Sequence, residues 1–205
     1  MPERPTAMLA FAPGAGGGIH QPYIVSVCEG LATRGIASLR YQFPYMERRS
    51  RRPDPPALCH QTVQAAVGEA RRLLPDASLY AGGKSFGGRM TSQAQALAPL
   101  PQVRGICFFG FPLHPPKQPA TSRADHLAAI QIPMLFLQGT RDELAELGRI
   151  RQVVAGLAAP ATLKIIDGAD HSFHVPARSG RTDAQVLGSM LDEVAAWMAA
   201  GSPRR

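Results

Sequence analysis

The chain has 205 residues, 45% hydrophobic and 18% charged, enough to bury a substantial core as one domain over residues 1–205 without disulfide or metal support. No apolar run approaches the ~20 residues that span a bilayer, and the opening MPERPTAMLAFAPGAGG lacks a basic stretch followed by a long apolar one, so a cytoplasmic protein with no membrane partner is expected. The net charge of +7 gathers in Arg48, Arg49, Arg51, Arg52 and the tail Arg204–Arg205 with no interleaved aromatics, which argues against nucleic acid, and Cys28, Cys59 and Cys107 lack CxxC or CxxH spacing and read as free thiols.

Short apolar runs alternate with helical patterns, the mark of parallel β/α units. Ala7–Ala12 reads as a strand that meets the glycine loop Gly14–Gly18. A helix from about Gln21 to Arg34 follows, closed by Gly35, and then a strand over Ile36–Tyr41. Arginine and proline make the stretch to about Pro56 an irregular loop. Val63, Ala66, Val67, Ala70, Leu73 and Leu74 recur at helical spacing, and Pro75 ends that helix. Ser78–Ala81 is a strand running into Gly82-Gly83-Lys84-Ser85-Phe86-Gly87-Gly88, with a helix from Phe86 to about Leu97 after it. Val103–Phe109 is apolar throughout, as expected of a central strand covered on both faces. A proline-rich loop to about Ser122 and a short helix over roughly Arg123–Ile130 precede the strand Met134–Gln138. A helix near Glu146–Leu157 leads to the strand Thr162–Ile166. The last helix opens with Thr182 and Gln185 at capping-box spacing and buries Val186, Leu187, Met190, Leu191, Val194 and Trp197. Six strands with intervening helices and no segment large enough for a cap predict a shallow, open site.

Gly83-Lys84-Ser85-Phe86-Gly87 has the GxSxG spacing of a nucleophile elbow, and a predicted strand before it and helix after it supply the context that motif needs. Gly83-Lys84-Ser85 also resembles the end of a phosphate-binding loop. That loop requires a glycine five residues before the Gly-Lys pair, where this chain has Ser78 inside a strand. A serine hydroxyl needs a base and the base needs an orienting acid. On a sheet of this kind they follow the elbow in the order acid, then histidine, each after a strand. His171, in Asp-Gly-Ala-Asp-His-Ser-Phe, occupies the histidine position, with His174 as its local rival. Asp142, after Met134–Gln138, is the expected acid; Glu143 competes, and Asp170 directly precedes the histidine and is poorly placed to reach its Nδ1. The oxyanion donors expected are the amides of Phe86 and, from the loop after the first strand, Ala15. This chemistry calls for no metal and no organic cofactor.

Five segments carry a family resemblance: Pro13-Gly14-Ala15-Gly16-Gly17, Gly82 to Arg89, Phe111-Pro112-Leu113-His114-Pro115-Pro116, Gln138 to Asp142, and Gly168 to Phe173. Together they resemble small α/β-hydrolases related to dienelactone hydrolases. Within that group the chain is similar to the bacterial proteins akin to testis-expressed protein 30 and to subunit 3 of a eukaryotic histone-acetyltransferase regulatory complex. The resemblance implies an α/β-hydrolase fold with a minimal, mostly parallel six-stranded sheet. It puts Ser85, Asp142 and His171 at the triad positions. Pro13-Gly14 replaces the usual His-Gly opening of the oxyanion loop, and Ser85 stands where dienelactone hydrolases proper have cysteine. Lys84, Arg89, His114, Lys117, Arg123 and His126 also lie in motif-like stretches; a substrate-carboxylate site and loop-anchoring hydrogen bonds both account for them. The expected activity is hydrolysis of a small carboxylic ester, thioester or lactone. The alternative, suggested by the eukaryotic subunit, is an interaction protein that keeps the fold without turnover.

Overall fold

A computed structural model describes residues 2–201, so the basic tail Arg204–Arg205 lies outside the described residues. Six strands form one sheet: β1 (Ala7–Ala12), β2 (Ile36–Arg40), β3 (Ser78–Lys84), β4 (Val103–Phe109), β5 (Met134–Gly139) and β6 (Ala161–Ile166). They lie in the order β2-β1-β3-β4-β5-β6, and every neighbouring pair is parallel. The chain steps outward from β1 to β2, returns across β1 to β3, and then proceeds to β6. The direction reverses between β1 and β3, whose registers pair Ala7 with Ser78 and Ala12 with Gly83. In open α/β sheets the crevice at the carboxyl ends of such a strand pair is where ligands bind.

Six helices flank the sheet: α1 (Pro22–Ala32), α2 (Pro44–Glu47), α3 (Pro56–Leu73), α4 (Phe86–Leu97), α5 (Leu147–Ala155) and α6 (Asp183–Ala200). Because strand side chains alternate faces, Leu9, Phe11, Cys107, Phe109 and Leu137 meet α1 and α6, while Met8, Ala10, Leu79, Ala81, Phe108 and Phe136 meet α3, α4 and α5. Both faces are therefore buried, which is why the strands read as continuous apolar runs. Each buried phenylalanine of the central strands contributes roughly 1.5–3 kcal/mol by the apolar surface it removes from water.

Local signals set several boundaries. Proline opens α1, α2 and α3, where its missing N–H costs no helical bond. Gly35 takes φ 74° after α1, a conformation that favours glycine. The α6 capping box forms, with the Gln185 amide on Thr182 Oγ1 (3.2 Å) and the Thr182 amide on Gln185 Oε1 (2.8 Å).

Four expectations need correction. The stretch to Pro56 is not wholly irregular, since it contains α2; the buried Asp54 carboxylate accepts from the Tyr45 amide (2.7 Å) nine positions back and pairs with Arg48, and so organises the turn. The segment Ser122–Ala129 is a 3₁₀ helix. Leu73 is 49% exposed, because at ~100° per residue it falls about 90° from the centre of the stripe that Val63, Val67, Ala70 and Leu74 define. At the end of α6, Met198 is the fully buried residue, while Leu187 and Trp197 are only partly covered.

Candidate active site

One residue, Ser85, separates β3 from α4, and it sits at φ 49° and ψ −114°. A non-glycine residue held there carries about 1–3 kcal/mol of strain, which the surroundings must over-determine. They do so by backbone contact. A Cβ on Gly83 would stand 2.6 Å from the Ala12 carbonyl oxygen, and one on Gly87 would stand 2.4 Å from that of Pro13. Glycine at both positions lets β1, β3 and the first turn of α4 touch, and the turn between them turns the serine side chain outward. The Ser85 amide donates to the Phe109 carbonyl of β4 (3.2 Å), and its own carbonyl accepts from the Arg89 amide (3.1 Å).

Two loops complete the arrangement. After β6, Asp170 accepts from the amides of Ser172 (2.7 Å) and His174 (3.0 Å) through Oδ1, folding the loop so that His171 turns back over the sheet. His171 Nε2 lies 2.8 Å from Ser85 Oγ, and its Nδ1 lies 2.7 Å from Asp142 Oδ2. With Nδ1–H donating to the carboxylate, Nε2 is left to accept the serine proton. Asp142, after β5, has a fully buried side chain. Its Oδ1 accepts from the Leu144 amide (2.8 Å) and its Oδ2 from the Gln138 side-chain amide. The Arg141 amide donates to the Ala169 carbonyl (2.9 Å) and ties the acid and histidine loops together.

The structure thus brings Ser85, His171 and Asp142 into one hydrogen-bonded line. The rivals sit elsewhere: His174 is exposed and paired with Asp183 (2.8 Å), which raises its pKa, Glu143 is exposed, and Asp170 shapes the loop. A second serine–histidine contact joins Ser92 Oγ and His126 Nε2 at 2.7 Å. Ser92 is buried in the middle of α4, and among the described residues no carboxylate hydrogen-bonds to His126. Burial, reinforced by the charge of Arg89, depresses the His126 pKa to about 4.

The loop after β1 rests against the elbow: a Cβ on Gly14 would lie 3.6 Å from Lys84 Cγ and 3.9 Å from Ser85 Cβ. The Tyr45 hydroxyl donates to the Ala15 carbonyl (2.7 Å) and fixes that loop from α2. Ala15, Ser85 and Phe86 line one cleft of about 440 Å³. The Phe86 amide opens α4, so no carbonyl one turn back claims it, and the helix presents its positive end there. A larger depression of about 890 Å³ lies at the opposite end of the sheet, beside Ser78 and Val103, away from this line.

Gln138, Tyr45 and Lys84 acquire roles that sequence reasoning did not assign. Gln138 is completely buried, its amide on Asp142 and its Oε1 on the Phe111 amide (3.0 Å); a polar residue ending an otherwise apolar strand was the available signal. Lys84, the last residue of β3, donates to the His171 carbonyl and lies 5.0 Å from the centre of the Phe173 ring. Burial lowers its pKa to about 8, against the opposing pull of Asp142 and Asp170.

Among the described residues no group of three or more histidine, cysteine or acidic side chains is placed to hold a metal ion, and no helix is long and apolar enough to cross a membrane. No part of the described chain forms a cap over the cleft. The chain is similar to dienelactone hydrolase from Anabaena variabilis, with 20% identity, a TM-score of 0.77, and 98% of this chain and 88% of that one covered. It is similar to Est1E from Butyrivibrio proteoclasticus (17%, TM-score 0.72, covering 98% and 92%) and to a lidless α/β serine hydrolase from Xanthomonas campestris (20%, TM-score 0.72, covering 96% and 85%). At these identities the likeness is one of fold. Residues 5–199 match the family described as alpha/beta hydrolase domain, and the chain belongs to that family.

Proposed function

We propose that this α/β hydrolase is a serine hydrolase acting on a small carboxylic ester, thioester or lactone through an acyl-enzyme. The observation that carries the reading is the unbroken line from Asp142 through His171 to Ser85, at 2.7 and 2.8 Å. His171 takes the Ser85 proton as Oγ attacks the carbonyl carbon, and Asp142 holds the ring and stabilises the imidazolium. The amides of Ala15 and Phe86 receive the oxyanion. His171 then protonates the leaving group, a water molecule enters, and the same histidine removes its proton as it attacks the acyl-enzyme. Hydrolysis releases the acid and restores the serine proton.

The uncapped cleft supports short substrates, and the dienelactone hydrolase and the lidless serine hydrolase among the fold neighbours support carboxylic ester chemistry. Ser85 in place of cysteine sets the chain apart from dienelactone hydrolases proper. The nearer kinship, to proteins akin to testis-expressed protein 30 and the acetyltransferase-complex subunit, rests on the five motif segments. A single catalytic domain working in the cytoplasm on a small molecule, with no cofactor and with neither nucleic acid nor membrane as partner, completes the proposal.

A fluorophosphonate probe tests it. Folded protein is expected to be labelled and Ser85→Ala to be silent. Absence of labelling in the folded wild-type protein overturns the enzyme reading in favour of a non-catalytic interaction protein. A series of p-nitrophenyl esters of increasing chain length is expected to show a preference for short acyl groups, and a preference for long ones overturns the small-substrate assignment.

A further inference from the structure

The cleft beside Ser85 carries two positive charges that the hydrolytic chemistry does not use. Arg89 lies one turn into α4, its amide bonded to the Ser85 carbonyl, and Arg123 belongs to the 3₁₀ segment that covers the same helix; both line the cleft with Ser85 and Phe86. Among the described residues neither guanidinium pairs with a carboxylate. Arg89 Nε is buried without any hydrogen-bond partner, and its guanidinium is held 5.7 Å from the centre of the Phe86 ring. Among the described residues Arg34, Arg48, Arg72 and Arg149 pair with carboxylates; what sets Arg89 apart from the other unpaired arginines is that its donor is buried.

Burial and the like charge of Arg123 both disfavour the Arg89 cation. A protein interior seldom keeps a buried donor unmatched or brings two cations together unless something else completes the set. The acid that lines the cleft is already occupied. Asp54 faces the same cleft, but its oxygens are taken by the Tyr45 amide and by Arg48. His126, beside Arg89, is held on Ser92 and contributes no charge at neutral pH. What the two guanidinium groups lack is a planar, bidentate anion, and a carboxylate has that shape.

We propose that Arg89 and Arg123 form an anion subsite beside the nucleophile, and that the substrate is the half-ester or half-thioester of a short dicarboxylic acid, its free carboxylate bound by the two arginines. The proposal rests on the serine hydrolase reading above and names its substrate class. Ser85 and Arg89 are four residues apart across the first turn of α4 and line the same cleft, which suits a short acyl chain.

The test compares mono-p-nitrophenyl glutarate with p-nitrophenyl pentanoate, which match in chain length and differ in the terminal charge. After subtraction of the uncatalysed rates, wild-type protein is expected to favour the glutarate half-ester at least tenfold in kcat/KM. Arg89→Gln and Arg123→Gln are each expected to remove most of that preference, and Arg89→Lys to keep part of it. Equal turnover of the two esters, or a preference that survives both glutamine variants, overturns the proposal. Should Arg89→Gln not fold, Arg123→Gln decides alone. A calorimetric titration of Ser85→Ala with monomethyl glutarate makes the test independent of turnover. Binding that is lost on adding Arg123→Gln supports the subsite even if the wild type hydrolyses neither ester, in which case only the nucleophile assignment falls. Absence of binding to Ser85→Ala, with the wild type turning over pentanoate, overturns the subsite and leaves the hydrolase reading in place.

Discussion

His126 makes the protein sensitive to mild acid in a way that can be worked out from its surroundings. Desolvation is the main reason its pKa falls from 6.5 to about 4; Arg89 and His60 add to the effect and Asp125 opposes it. Between those two pH values the unfolded chain binds a proton at this position and the folded chain does not, so stability rises with pH across the window. The contribution is fully present above pH 6.5 and is lost progressively as pH falls toward 4. At about 1.4 kcal/mol for each tenfold change in proton affinity the ceiling is roughly 3 kcal/mol. The ring is partly open to solvent, so about 1–2 kcal/mol is the expected size. The perturbation is His126→Gln, which removes the titration and keeps a polar partner for Ser92. Urea unfolding of wild type and variant at pH 7.5 and pH 4.5 isolates the term, because the carboxylates are common to both proteins. Wild type should lose about half a molar more in its midpoint than the variant between the two conditions, given a urea slope of ~2–3 kcal/mol/M. Parallel loss in the two proteins would show that His126 is not held neutral by burial, and the reasoning would fail. The same variant should remain reactive toward the fluorophosphonate, whereas His171→Gln should not. The opposite pattern would make Ser92 and His126 the reactive pair.

The remaining predictions concern the groups that hold the site in shape. Gly83→Ala places a methyl group 2.6 Å from the Ala12 carbonyl oxygen and 2.8 Å from the Gly88 amide nitrogen; it should cost at least 1–3 kcal/mol and lower Tm by several degrees in a circular dichroism melt, and an unchanged Tm would mean that these backbones are free to separate. Gln138→Leu removes the amide on Asp142 and strands the Phe111 amide, so kcat for a p-nitrophenyl ester should fall roughly tenfold to a hundredfold with KM little changed, and stability should fall by about 1–3 kcal/mol. Lys84→Met tests the buried ammonium. With its pKa lowered from 10.5 to about 8, the unfolded chain holds the extra proton in between, so wild type should gain on the variant by up to about 3 kcal/mol as pH rises from 8 to 10.5. Urea midpoints at pH 7.5 and 9.5 check the sign.

What the sequence disclosed and what it withheld divide along the range of the forces involved. The α6 capping box and the Gly35 turn that closes α1 are decided within a few residues, and both were legible. So was the chain order of Ser85, Asp142 and His171, since each follows its strand. The withheld features all depend on residues distant in sequence. Helix α2 needs the buried carboxylate of Asp54, Gln138 is positioned by an amide 27 residues away, and the Ala15 loop is fixed by a hydroxyl 30 residues away. Motif membership flagged Lys84, Arg89, Arg123 and His126 without separating loop anchor from ligand group. The separation comes from their partners: Lys84 has a carbonyl and His126 a hydroxyl, while among the described residues neither arginine side chain makes a hydrogen bond or an ion pair, and Arg89 Nε is buried.

The distance that His171 must cover explains one more constraint. Ser85 leaves the sheet at β3 and His171 at β6, three strands apart, or about 14 Å at ~4.8 Å per strand. The histidine loop closes that gap by folding over the ends of β5 and β4, and the end of β4 must stay low for it to pass. Gly110 lies there at φ 73°, its amide on the Leu137 carbonyl (2.9 Å). A Cβ on it would meet Lys84 Nζ at 3.0 Å and His171 Cε1 at 3.4 Å. The same glycine therefore satisfies the backbone turn, the path of the histidine loop and the seat of the buried lysine. A side chain at Gly110 would strain the turn and push His171 away from Ser85 at once, so damage there should reach the hydrogen-bonded line even though Gly110 has no side chain of its own to contribute.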